Sequence, residues 1–303
     1  MHELYQWVFE PGFFASAQVH VAAAIGGVVA VVGAVVGVFT VMRGQSFGGH
    51  ALGDVSAAGG AGALLIGLNP VAGFVGLGIV GAGAMDMIGV QRVRGRDLAT
   101  GIVLGAAIGL SALFLYLDTT AGATTGAPAQ ILFGSIFTIT AGTIPAIVIL
   151  GVIAIACIAI VWRPLLLATV STDIAAARGV PVRVVGLLFM LALAISVGLS
   201  SVAVGAILST ALLIGPAAAA LRLTTTVARA LAVACVIGVG TTWLGILLAY
   251  DSYYWGASHQ GLPVSFFIVA AVFAAYLVSG LPVARRATRR RAVAAPVARA
   301  ASR

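Results

Sequence analysis

The sequence contains no lysine: all 16 of its basic residues are arginine. A Walker-type phosphate loop needs a lysine beside its glycines, so the chain does not bind ATP in that way. Acid is scarce as well. Of only 8 acidic residues, the glutamates are Glu3 and Glu10, which removes the H-E-x-x-H ligand set of an intramembrane metalloprotease. The two cysteines, Cys157 and Cys235, stand singly in apolar runs without C-x-x-C spacing. They read as small core hydrophobes rather than as a disulfide or a metal site. Glu3 and Glu10 also occupy the stretch where a cleavable signal would carry positive charge, so none is expected.

What remains is apolar. Of the 303 residues, 61% are hydrophobic and 8% charged, with a mean hydropathy of +1.16. A soluble domain has about 45–50% apolar and about 25% charged residues, and it could not keep this much apolar surface from water. Disorder is excluded for the opposite reason. The expectation is an all-α polytopic membrane protein. The net charge of +8 could suggest a nucleic-acid partner, but the arginines lie between or after apolar runs. There they mark cytoplasmic loops, and no nucleic acid is expected.

A membrane helix needs about 20 apolar residues, and that ruler gives roughly nine spans. They are Phe14–Val41, Ala51–Leu68, Val71–Val90, Leu98–Leu117, Ile136–Trp162, Val184–Ser200, Val202–Leu221, Ala228–Tyr250 and Val264–Leu281. The gap at Ser200–Val202 is short enough to require a helical hairpin. Arg43, Arg92, Arg94, Arg96, Arg163, Arg178, Arg183, Arg222, Arg229 and the Arg285–Arg291 group all fall on one side if the amino terminus is outside. Glu3, Glu10, Asp118, Asp251 and His259 fall on the other. The positive-inside rule then gives an N-out, C-in topology. It divides the chain into a membrane domain, 1–283, and an Arg-rich cytoplasmic tail, 284–303, drawn to anionic lipid. Glycines recur at four-residue spacing at Gly33 and Gly37, at Gly49 and Gly53, and at Gly101, Gly105 and Gly109, which predicts close helix packing. Pro216 is expected to kink the seventh span.

The loop between the fifth and sixth spans carries its own helix signals. Ser171-Thr172-Asp173 offers a cap and a first-turn acid, and Arg178-Gly179-Val180-Pro181 offers a stop. A helix this short is marginal alone. It reads either as a solvated connector or as a docking helix, about 171–180, held by a cytoplasmic partner.

The segment Asp173-x-x-Ala176-x-x-Gly179-Val180-Pro181, followed by two long apolar runs, resembles the coupling region of ATP-binding-cassette importer permeases of the zinc/manganese (metal-chelate, ABC-3) class. The run Val204-Gly205-Ala206-Ile207-Leu208-Ser209-Thr210-Ala211-Leu212-Leu213-Ile214-Gly215-Pro216-Ala217-Ala218 is similar to the family's most recognisable stretch. So are Gly67-Leu68-Asn69-Pro70, Arg96-Asp97-Leu98-Ala99-Thr100-Gly101-Ile102 and Leu132-Phe133-Gly134-Ser135. The likeness runs over residues 14 to 281. It implies a type II-like importer permease in the bacterial cytoplasmic membrane, as a homodimer or a pair of related permeases around one path. A cytoplasmic ATPase dimer would dock on Asp173, Ala176 and Gly179, and an extracytoplasmic lipoprotein would deliver the metal. The chain would carry Zn²⁺ or Mn²⁺ without a permanent cofactor, and would not itself be an enzyme.

Ionisable residues inside a span point to function. His50 and Asp54, four apart, share one helical face, and imidazole with carboxylate suits Zn²⁺ or Mn²⁺. A two-fold axis would supply two such pairs. The family order is Asp first and His four residues on; here it is reversed. The competing readings are a His–Asp hydrogen bond or capping of the second helix near the cytoplasmic interface. Asp86 is expected to pair with Arg92 or Arg94, Asp97 to favour the start of its helix, and His20 to be buried and neutral. In the outer loop (Asp251–Gly261), Tyr253, Tyr254 and Trp255 read most simply as interfacial anchors; the loop with its acid, aromatics and His259 reads secondarily as a docking surface for a binding protein or a transient metal contact. A siderophore or vitamin permease of the same superfamily would not need the His50/Asp54 pair. A gradient-driven secondary transporter would show paired broken helices with midplane acids, and no such repeat is evident.

Overall fold

A computed structural model describes residues 13–88, 96–121, 126–134, 136–255 and 261–281. Its long helices are α1 (Ala17–Met42), α2 (Ser46–Leu65), α3 (Pro70–Ile88) and α4 (Arg96–Ala121). After the short α5 (Ala127–Phe133) come α6 (Ile144–Ile160), α7 (Trp162–Val170) and α8 (Thr172–Ala177). The chain continues through α9 (Val182–Val204), α10 (Ala206–Leu223) and α11 (Val227–Ser252) to α12 (Val264–Leu281). Among the described residues no strand occurs, and eight helices are long and apolar enough to cross a membrane. At 20 residues α2 is also long enough, but glycine, serine, His50 and Asp54 dilute it, and it is not among those eight.

Among the expected boundaries that move, two are explained by the backbone at the new position. The hairpin turn falls at Gly205, not at Ser200–Val202. Gly205 adopts φ +90°, open almost only to glycine, and its amide still bonds the Ser201 carbonyl at 2.9 Å. A Cβ there would overlap the Leu132 carbonyl oxygen, so the turn is clasped against the end of α5. The fifth span begins at Ile144 rather than Ile136. Residues 136–143 instead form 3-10 turns, and Pro145 sits in the first turn of α6, where its missing N–H costs nothing. The short α5, which also carries a proline in its first turn, has no counterpart in the expected spans. α10 runs on as helix through Pro216.

The main apolar core is drawn chiefly from α1 and α9, and α2 packs against α3, α4, α9 and α10. Gly59 and Gly73 meet at the α2–α3 crossing, where a Cβ on either would overlap the other's carbonyl oxygen. Gly37 of α1 rides equally close on the Leu213 carbonyl of α10. α9 and α10 run antiparallel past the same face. A Cβ on Gly49 would lie 3.1 Å from Leu213 and 3.8 Å from Leu193, and one on Gly53 would lie 3.1 Å from Ser209 and 3.4 Å from Val197. The Gly33/Gly37 and Gly49/Gly53 pairs thus pack as expected. Gly101, Gly105 and Gly109 do not, since nothing lies within 4 Å of the Cβ each would carry. α4 lies at the rim, covered on one side only.

The two ends of the bundle differ in chemistry. At one end Phe13 meets Tyr250, with ring centroids 5.3 Å apart, and Trp255 meets Phe267 at 5.9 Å. At the other, Arg222 of α10 lies 3.8 Å over the Tyr276 ring of α12 and bonds its hydroxyl, while Arg43 lies 5.0 Å over Phe189. Glu3, Glu10, Arg92, Arg94, His259 and the tail 284–303 lie outside the described residues.

Candidate metal path and coupling site

α2 is buried almost throughout, with one open stripe. Phe47, His50 and Asp54 follow one another at helical spacing on that stripe. The His50 side chain is 41% exposed and that of Asp54 17%. The neighbouring glycines sit level with Leu193 and Val197 of α9, about 16–22 Å along that helix from its start at 1.5 Å per residue. The pair therefore does not lie at the very end of the bundle: on α2 it stands one to two turns in from the start at Ser46. Nor does it cap α2, because both residues lie past the first turn that begins at Ser46.

His50 Nε2 is 3.8 Å from Asp54 Oδ2, too far for a hydrogen bond. Bonds of 2.0–2.1 Å to a tetrahedral cation would separate such a nitrogen and oxygen by about 3.4 Å, so a small closing movement would bring both onto one ion. The other ring nitrogen, Nδ1, lies 3.1 Å from the Thr210 hydroxyl of α10. From the opposite flank, the Ser111 hydroxyl of α4 donates to the Asp54 backbone carbonyl at 3.4 Å. Hence α4 and α10 frame the stripe. Among the described residues no group of three or more His, Cys, Asp and Glu side chains could hold a metal, so one chain offers two such ligands here and no more.

The predicted docking segment forms at the other end. The Ser171 hydroxyl accepts from the Ile174 amide at 3.3 Å, which satisfies a first-turn donor of α8. Its far end closes in a Schellman motif: the Gly179 amide bonds the Ala176 carbonyl at 2.9 Å, and Val180 bonds Ala175 at 3.0 Å. Gly179 takes φ +78° to make that turn. Ala175 is fully buried, whereas Asp173, Ala176 and Gly179 are exposed along one side. α9 is the element that contacts both this segment and the helix of His50 and Asp54.

Among the other candidates, Asp97 is exposed in the first turn of α4 as expected. His20 is exposed rather than buried, because it lies on the side of α1 opposite the packed Val19 and Ala22. Tyr253, Tyr254 and Trp255 are exposed at the aromatic end. There a cavity of about 340 Å³ opens beside the α2–α3 turn, with Asn69, Gln130, Thr138, Thr140 and Thr143 in its wall. Sequence reasoning missed Thr210 and Ser111. Thr210 stands inside the Val204–Ala218 run, but a lone threonine announces no partner 160 residues away.

Comparison with known proteins agrees with this architecture. The sequence pattern of the ABC 3 transport family matches residues 16–279. The manganese transport system membrane protein MntC of Listeria innocua is 28% identical over 247 residues, covering 81% of this chain and 87% of that one. The MntC protein of Halalkalibacterium halodurans is 30% identical over 226 residues, covering 74% and 76%. The structure of PsaBC from Streptococcus pneumoniae in complex with Fab superposes with a TM-score of 0.77 at 23% identity, over 92% of this chain and 95% of that chain. With its apolar helices and its match over almost the whole length, the chain is a multi-pass protein of the bacterial cell membrane and belongs to the ABC 3 transport family.

Proposed function

We propose that this chain is the permease subunit of an ATP-driven importer of a divalent metal, manganese or zinc, with an N-out, C-in arrangement of nine spans in which α2 is the ninth. One observation carries the reading. A long helix too polar to count among the eight apolar spans is buried on every side but one stripe, and that stripe holds His50 and Asp54. An ionisable side chain within a membrane helix is expensive and is kept for a purpose. Two ligand-type side chains are too few to strip a cation of its water. A second copy facing the same stripe across a two-fold axis would bring the number to four, which suits Zn²⁺ or Mn²⁺. The manganese named for both relatives fits this donor set.

The rest of the cycle is mechanical. The chain has no lysine for a phosphate loop, so ATP hydrolysis belongs to a separate ATPase dimer docking on Asp173, Ala176 and Gly179. Movement of α8 would pass into α9, which begins three residues after Gly179 and runs beside the His50 region. A binding protein would deliver the ion at the aromatic end. The test is Mn²⁺ and Zn²⁺ uptake into vesicles holding the permease with its co-purified ATPase and binding protein. Uptake should require ATP and fall about tenfold or more in His50→Ala and Asp54→Ala, with hydrolysis retained, and Gly179→Pro should keep hydrolysis but lose uptake. Concentrative uptake by the permease alone, without nucleotide, would overturn the reading.

A further inference from the structure

We propose that Thr210 is a positioning residue of the metal path, setting which ring nitrogen of His50 carries the proton. The inference rests on the reading of His50 and Asp54 as cation ligands. A neutral imidazole has one N–H and one lone pair. Nε2 faces Asp54 and the open stripe, and Nδ1 faces the Thr210 hydroxyl at 3.1 Å. To bind a cation, Nε2 must present its lone pair, so the proton must sit on Nδ1 and needs an acceptor there. Thr210 Oγ1 is in place to accept it.

How other helical threonines use their hydroxyls sharpens the point. Thr40 donates to the Val36 carbonyl, Thr169 to Leu165 and Thr241 to Ile237, each one turn back on its own helix. That is the local option for a hydroxyl in a helix. Thr210 reaches across to α2 instead. A hydroxyl also suits a cation that must leave again. It accepts Nδ1–H when the ion is bound and donates to Nδ1 when the proton returns to Nε2 beside the Asp54 carboxylate. A carboxylate in its place could only accept, would raise the basicity of the ligand and would hold the ion. Thr210 thus keeps His50 oriented in both the empty and the loaded state.

The test uses the full chain in lipid nanodiscs, with Zn²⁺ alone as probe. Titration gives the affinity, and solid-state nitrogen spectra of ¹⁵N-histidine protein, with the His50 signals assigned by His50→Ala, give the tautomer. Zn²⁺-loaded wild type should carry its His50 proton on Nδ1. Thr210→Val should weaken Zn²⁺ about 10–100-fold, the range for loss of an outer-shell partner, and Thr210→Ser should bind as wild type. If Thr210→Val binds as wild type while His50→Ala does not, Thr210 has no positioning role and the ligand reading stands. If His50→Ala also binds as wild type, the ligand reading falls and this inference with it. Should Thr210→Val fail to fold, the wild-type spectrum decides, since a loaded His50 protonated on Nε2 overturns the proposal by itself.

Discussion

α2 and α4 are neighbours, both rich in glycine at four-residue spacing, and they use it in opposite ways. On α2, Gly59 lets the backbone of α3 approach to contact, and Gly49 and Gly53 admit α9 and α10. On α4, Gly101, Gly105 and Gly109 face open space. Glycine spacing alone therefore does not say where helices pack. Hydropathy makes the distinction. α2 is too polar to face lipid on every side and must be enclosed. Within residues 100–120 of α4, an 18-residue window has a mean hydropathy of 2.0 and only 17% of it is buried, so it can stand at the rim. Of the two, the enclosed helix is also the one that carries the ionisable pair, because ionisable side chains within membrane helices face the bundle interior.

The comparison breaks first at the α2–α3 crossing. Gly59→Val would drive a branched side chain into the Gly73 backbone, which cannot yield as a flexible side chain could. Overpacking of this kind costs about 3 kcal/mol or more. The expected result is loss of monodisperse protein on detergent extraction, measured by fluorescence-detected size exclusion. Normal yield and melting temperature in Gly59→Val would mean that the crossing is looser than described and that α2 is not the enclosed helix.

A smaller effect is expected at the α9–α10 turn. Gly205→Ala places a Cβ at φ +90° and against the Leu132 carbonyl. Strain of this kind costs about 1–3 kcal/mol. The melting temperature should drop while some folded protein survives, and Gly134→Ala, which meets the same clasp from the α5 side, should behave alike. An unchanged melting temperature in both would show that the turn is free of the α5 end.

Much of this was legible beforehand because it follows from one-dimensional signals. Hydropathy marks the long helices, and Ser171, Gly179 and Pro181 mark α8, since caps and stops are local chemistry. The His50/Asp54 pair shows as two ionisable residues on one helical face. What the chain order hides is whatever depends on two distant segments meeting. Gly73 becomes a crossing only because Gly59 lies under it, Thr210 matters only because His50 is beside it, and Gly205 is the turn because the end of α5 blocks any larger residue. The start of α2 is hidden as well, since Ser46 lies five residues before the apolar run that begins at Ala51.

The smallest effect is the most informative about α4. Gly105→Ala adds a Cβ that meets nothing within 4 Å in a single chain, and it replaces a residue about 1 kcal/mol less favourable than alanine within a helix. A lone subunit should therefore be unchanged or more stable, by up to about 1 kcal/mol, where Gly59→Val is lost. The comparison becomes sharper if both variants are melted as lone subunits and again after assembly with a second copy. A Gly105→Ala protein that melts like wild type alone but lower when assembled would mean that the glycines of α4 do pack, against a neighbour rather than within the chain. One that melts lower even as a lone subunit would break the distinction between the two helices.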